Sequence, residues 1–142
     1  MKPDSQPLAT PSESAPHAPH SAPPQKSPDL RVRTKAFALR VMRLVDTLPG
    51  TRSADVIGRQ LLRSATSVGA NYRAACRGRS PAEFVAKLGI VEEEADESAY
   101  WFELLTEGGI VKTAALADLH AEADEIVAMV VASIRTARGG AR

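Results

Sequence analysis

The stretch RSADVIGRQLLRSATSVGANYRAACRGRSPAEFVAKLGIVEEEADESAYWFELLTE, residues 52–107, decides the fold. It divides at Gly78-Arg79-Ser80-Pro81 into two long helical patterns. Glycine at 78 suits the end of the first helix, because it enters the left-handed C′ conformation without a Cβ penalty. Ser80-Pro81-Ala82-Glu83 then has the form of a capping box with proline at the first helical position. In that box Ser80 accepts the Glu83 backbone N–H, and the Glu83 carboxylate returns to the Ser80 N–H. A join of about two residues forces the two helices to lie side by side and antiparallel.

At about 100° per residue, Ile57, Leu61, Ala65, Val68, Tyr72 and Cys76 share one side of the first helix. Arg52, Arg59, Arg63, Arg73 and Arg77 gather on the other side. Arginines one turn apart repel one another and weaken the helix. The stripe therefore predicts an anionic partner or a neighbouring acidic helix, with a solvated charged face as the plain alternative. In the second helix Phe84, Leu88, Val91, Ala95, Ser98, Phe102 and Leu105 recur at steps of four and three. That is the a/d seam of a bundle helix crossing its neighbours at a shallow angle. Glu92, Glu93, Asp96, Glu103 and Glu107 stand off the seam. Ile90, Trp101 and Leu104 make a second apolar patch, which predicts a subunit interface or cover for a neighbouring helix.

Outward from this pair, Leu30, Phe37, Val41, Leu44 and Leu48 mark the core stripe of a preceding helix that stops at Pro49-Gly50. Val32, Leu39 and Met42 lie on roughly its opposite side, a second sign of association. Ser53 is the expected N-cap of the following helix. Beyond Gly108-Gly109, with Thr113 as cap, Leu119, Ala123, Ile126, Val130 and Ala137 continue a heptad-like seam to Gly139-Gly140. Four helices with short joins predict an all-α, antiparallel up-down-up-down four-helix bundle over residues 29–138. Residues 139–142 are expected to be a flexible C-terminus. Gly69, inside a helix, carries a penalty of about 1 kcal/mol relative to alanine, and close approach of another helix is the simplest compensation.

Residues 1–28 hold eight of the ten prolines, with no apolar periodicity. Such a segment buries too little surface to offset its ordering entropy and is expected to be a disordered tail. His17 and His20 within it are expected to be solvated. The tail lacks the apolar run of a signal peptide, and no stretch approaches membrane-spanning length. A single cysteine forms no intrachain disulfide; Cys76 reads as a core residue, and a reducing cytoplasm is the expected compartment.

The net charge is only +1, yet its distribution is lopsided. Residues 29–79 carry eleven basic and three acidic side chains, a balance of +8, and residues 80–109 carry one and eight, a balance of −7. Head-to-tail pairing of subunits and a basic face kept for phosphates both fit this division.

No catalytic, cofactor or metal site is spelled out. A di-iron bundle needs Glu-x-x-His pairs facing inward, and Ala117 stands three residues before His120. Cys76 and the serines lack an evident base. The best enzymatic alternative rests on the carboxylates Glu93/Asp96, Glu94/Glu97 and Glu122/Glu125, each pair one turn apart. Such pairs on facing helices bind Mg²⁺ in all-helical nucleotide pyrophosphohydrolases. Any acidic helix produces this spacing by chance, so a solvated or interfacial face is the favoured reading.

Gln60-Leu61-Leu62-Arg63-Ser64-Ala65-Thr66-Ser67-Val68-Gly69-Ala70-Asn71-Tyr72, followed by Arg77-Gly78-Arg79-Ser80-Pro81-Ala82-Glu83-Phe84, resembles the signature of a family of small bacterial bundle proteins. The family is named for members encoded in intervening sequences of the large ribosomal RNA gene, and the resemblance spans most of residues 30–135. It implies a bundle that assembles as a ring-like homopentamer. One branch is the accessory protein of diversity-generating retroelements, which binds nucleic acid and a reverse transcriptase through a basic surface. Where many members have Gly-Ser in the third helix, this chain has Glu92-Glu93, and it is less basic than that branch. The resemblance brings no catalytic residues.

The expected function is thus a non-enzymatic homo-oligomer, serving as a nucleic-acid-binding accessory or scaffold. The candidate phosphate contacts are Arg52, Arg59, Arg63, Arg73 and Arg77, toward RNA or single-stranded DNA. The candidate subunit contacts are Val32, Leu39, Met42, Ile90, Trp101 and Leu104. A purely structural or protein-interaction module is the further alternative.

Overall fold

The computed structural model describes residues 29–139; the tail expected over residues 1–28 and the last residues of the chain lie outside them. Asp29 starts α1 by accepting the Arg31 backbone N–H at 3.0 Å. The four elements are α1 Leu30–Asp46, α2 Arg52–Cys76, α3 Pro81–Glu107 and α4 Thr113–Gly139. Among the described residues there is no strand. Each helix packs on its neighbours in chain order, α1 on α2, α2 on α3, α3 on α4, and α4 more sparsely back on α1. Short joins and this cyclic order give the expected antiparallel four-helix bundle.

The α3 seam buries as its spacing predicts: Leu88, Val91, Ala95, Ser98, Phe102 and Leu105 are all inside, and Phe84 is half-buried. Phe37 of α1 meets Phe102 edge-on across the bundle axis, with ring centroids 6.2 Å apart. Each fully buried side chain of this size contributes about 1.5–3 kcal/mol by leaving water. Leu116 and Ile134 extend the α4 seam at both ends, whereas Ala137 is only half-buried. On α1, Thr34 completes the stripe between Leu30 and Phe37.

Two buried hydroxyls join α2 to α3. Ser64 Oγ and Ser98 Oγ lie 2.9 Å apart, and each also faces a carbonyl of its own helix, Leu61 O at 3.1 Å and Glu94 O at 2.9 Å. The bond between the two hydroxyls is made only where Ser64 and Ser98 stand level, so the pair favours one axial register of α2 against α3.

The helix ends depart from expectation in instructive ways. Thr51, not Ser53, caps α2, its hydroxyl accepting the Ala54 N–H. Ser80 caps α3 by accepting the Glu83 N–H at 3.1 Å. The Glu83 carboxylate reaches one residue further back than expected, to the Arg79 N–H at 2.7 Å. Gly78 is not left-handed: among the described residues only Gly109 has positive φ, at 72°. Glycine is needed at 78 for space, since a Cβ there would stand 3.0 Å from Ala75 O and 3.2 Å from Phe84 N. Thr113 is the first residue of α4, and that helix runs on through Ala137 to Gly139. At Gly69 the expected close approach is made by α1, with the Thr34 backbone 3.5 Å from where a Cβ would sit.

Candidate polyanion-binding face

The five arginines assigned to one stripe on α2 do not share one fate. Arg63 turns onto α3, where Nη1 meets Glu94 Oε2 at 3.2 Å and Nη2 pairs with Glu97. Arg59 folds back on Asp55 of its own helix at 3.2 Å. Arg52, Arg73 and Arg77 are exposed, and among the described residues no carboxylate lies within 4.0 Å of their charged nitrogens. The stripe is thus reduced to its two ends, with its middle neutralised inside the chain.

Near the Arg73 end, α1 supplies cations that the sequence reading did not single out. Arg31 and Lys35, one turn apart, flank a groove of about 270 Å³ between α1 and α2, with Arg73 on the other wall. Thr66, Gly69 and Ala70 supply its α2 side. Their four-residue spacing was the available signal for Arg31 and Lys35. What it lacked was the rotation of α1 about its axis, which packing sets.

Two of the three carboxylate pairs proposed as Mg²⁺ ligands are occupied by arginine. Arg33, on α1, donates from Nε and Nη2 to the two oxygens of Glu122, each at 2.9 Å, and from Nη1 to Glu125 at 3.1 Å. Those bonds hold the Arg33 pKa above its ordinary value, and Arg33 in turn lowers that of Glu125. Glu94 and Glu97 are closed in the same manner by Arg63. Glu93 and Asp96 remain exposed. Among the described residues no three metal-ligating side chains converge.

A model of the 23S rRNA-intervening sequence protein family matches residues 28–132. The chain belongs to this family. It is also similar to a solved structure from Bacteroides thetaiotaomicron, described as a protein of unknown function from the S23 ribosomal protein family. That chain is 32% identical, and the match covers 74% of this chain and 97% of the other with a TM-score of 0.70. No curated protein matches.

In this intervening-sequence family member, the two apolar patches differ in kind. Val32, Leu39 and Met42 of α1 are exposed, at 63%, 42% and 45%. Ile90, Trp101 and Leu104 are half-buried, and Trp101 packs against the core of its own chain. Its indole Nε1 is buried with no hydrogen-bond partner, and its ring lies 5.2 Å from that of the exposed Tyr100.

Cys76 is exposed rather than part of the core; Ala75 takes the buried position. The thiol lies beside Tyr72, whose pKa is pushed up to about 12 by burial and then by Cys76. His120 is partly exposed, 4.0 Å from both Glu103 and Asp124. No helix of the described residues is long and apolar enough to cross a membrane.

Proposed function

We propose that the protein is a non-enzymatic, self-associating helical bundle that holds nucleic acid through its phosphates, on the exposed basic surface of α1 and α2. The observation that carries this reading is the contrast among its cations. Arg33 and Arg63 are each matched by two carboxylates, while Arg31, Lys35, Arg73 and Arg77, on the same two helices, form no ion pair among the described residues. Clustered cations without counter-charges favour an anionic partner. The rim of the α1/α2 groove carries no aromatic ring, so binding is expected to follow charge and shape with little sequence preference. The stripe Val32, Leu39 and Met42 is the surface offered to a second copy, in an assembly proposed, on the family resemblance, to hold five.

A second reading has its own observation. Glu93, Asp96 and Glu107 on α3 are exposed and, among the described residues, form no ion pair. They could receive the basic face of the next subunit.

Filter binding of RNA and single-stranded DNA, run beside light scattering on one salt series, separates the two. Phosphate binding predicts that nucleic acid is released as salt rises while the particle mass holds. Dissociation of the particle at high salt with no nucleic acid retained at low salt would overturn it in favour of the second reading.

A further inference from the structure

Resting on that reading, we propose that the groove between α1 and α2 at Gly69 is a seat for a backbone phosphate of a single-stranded polynucleotide, gripped by Arg31, Lys35 and Arg73. The groove forms because α1 crosses α2 closely at this level: Thr34 backbone atoms lie 3.5 Å from the Cβ position of Gly69. Gly69 and Ala70 raise little or nothing above the α2 surface, and Ala38 does the same on α1, so the floor stays open along about 270 Å³. Arg31 and Lys35 stand one turn apart on one wall, and Arg73 stands one turn beyond Gly69 on the other. Three long cationic side chains therefore surround a floor of small residues and the Thr66 hydroxyl.

Among the described residues these three cations form no salt bridge. Arg31 is held above its ordinary pKa first by the neighbouring Cys76 thiol and then by the Asp29 carboxylate, which is itself engaged by the Arg31 backbone N–H. Its guanidinium therefore keeps donors for a phosphate. A phosphodiester supplies compact negative charge and several acceptor oxygens for guanidinium and ammonium donors.

The test uses the full-length chain and a fluorescein-labelled, mixed-sequence single-stranded RNA, read by anisotropy over a potassium chloride series. Lys35→Gln and Arg73→Gln should each weaken binding about three- to tenfold and reduce the slope of log affinity against log salt by about 0.7. Ala70→Leu fills the groove, leaves every charge in place and suits an exposed helix position; it should weaken binding at least as much. Arg138→Gln, on α4, should change nothing, and unchanged circular dichroism melts will show that all four variants fold.

If Ala70→Leu and Lys35→Gln bind as tightly as wild type while Arg52→Gln or Arg77→Gln weakens binding, the groove is not the seat, though the basic face still is. If wild type retains no RNA at low salt, the functional reading itself falls and the seat with it. Displacement of RNA by inorganic phosphate, at an ionic strength where chloride does not displace it, would assign the groove to free phosphate and overturn the polynucleotide.

Discussion

Arg33 sets its guanidinium against Glu122 so that Nε and Nη2 each meet a different carboxylate oxygen at 2.9 Å, across 89 residues of sequence. The pair is mostly shielded from water, with side-chain exposures of 15% and 20%. It ties α1 to α4, the most sparsely packed pair of neighbours in the bundle. Glu125 adds a third bond to the same guanidinium.

Removing Arg33 should therefore be costly at neutral pH. Arg33→Met keeps the aliphatic stem but leaves Glu122 without its partner, and about 1–3 kcal/mol of stability should be lost. Urea unfolding followed by far-ultraviolet circular dichroism measures this; an unchanged midpoint would show that the clamp adds nothing.

The same clamp gives stability an acid limb. Hydrogen bonding and attraction from Arg33 hold Glu125 below its ordinary pKa of 4.5. A carboxylate depressed in the folded state stabilises the fold above its unfolded pKa. That contribution is lost as pH falls through the folded value. Stability should thus decline below pH about 4.5, and Arg33→Met should flatten that decline. The raised pKa of Arg33 acts in the opposite sense, its contribution being fully present at neutral pH and lost only in strong base.

Ser64 and Ser98 should behave as a coupled pair. Ser98→Ala is expected to cost about 1 kcal/mol, and the double change to alanine clearly less than the sum of the single changes, by about 0.5 kcal/mol or more. Strict additivity in a double-mutant cycle would mean that the two hydroxyls do not depend on each other.

Glycines offer a contrast in sign. Nothing lies within 4 Å of a Cβ at Gly89, deep inside α3, so Gly89→Ala should raise stability by about 1 kcal/mol. At Gly108 a Cβ would stand 2.7 Å from Leu104 O, and Gly108→Ala should lower it. If Gly89→Ala instead disrupts association seen by light scattering, a second copy packs against α3 there.

The α1 stripe predicts a change in mass. Leu39→Glu should preserve helix content while shifting the particle toward monomer, because Leu39 is already 42% exposed within one chain and gains solvation only when a partner is lost. A mass equal to that of wild type would place the subunit contact elsewhere.

The parts of the fold legible from sequence are those set by local periodicity. The α3 seam repeats at steps of four and three, which keeps it on one stripe, and its members from Leu88 to Leu105 are buried. Extending the α2 stripe by another step of four, from Tyr72 to Cys76, drifts about 40° off axis. A step of three reaches Ala75, which is the residue buried. The site was less legible because it depends on pairs made between helices. Arg63 and Glu97 stand 34 residues apart, and no periodicity says which of the arginines on α2 will turn toward α3. The same holds for Arg33, whose partners are on α4, and for Arg31 and Lys35, which meet Arg73 only once α1 has docked on α2. Cap identities failed for a smaller reason. Thr51 and Ser53 are both good caps, and the choice rests on where the chain leaves the turn after Pro49.

Trp101, the chain's single tryptophan, turns the α3 patch into an optical probe. An indole with a buried, unbonded N–H emits toward the blue, and Tyr100, with its ring 5.2 Å away, is close enough to pass excitation to it. Emission from this one ring reports the far half of α3 separately from the whole-chain helical signal. Docking of another copy over Tyr100 should alter quenching without a red shift, whereas loosening of α3 should bring the red shift before helicity falls. Assembly and unfolding can therefore be followed in the same cuvette, without any label.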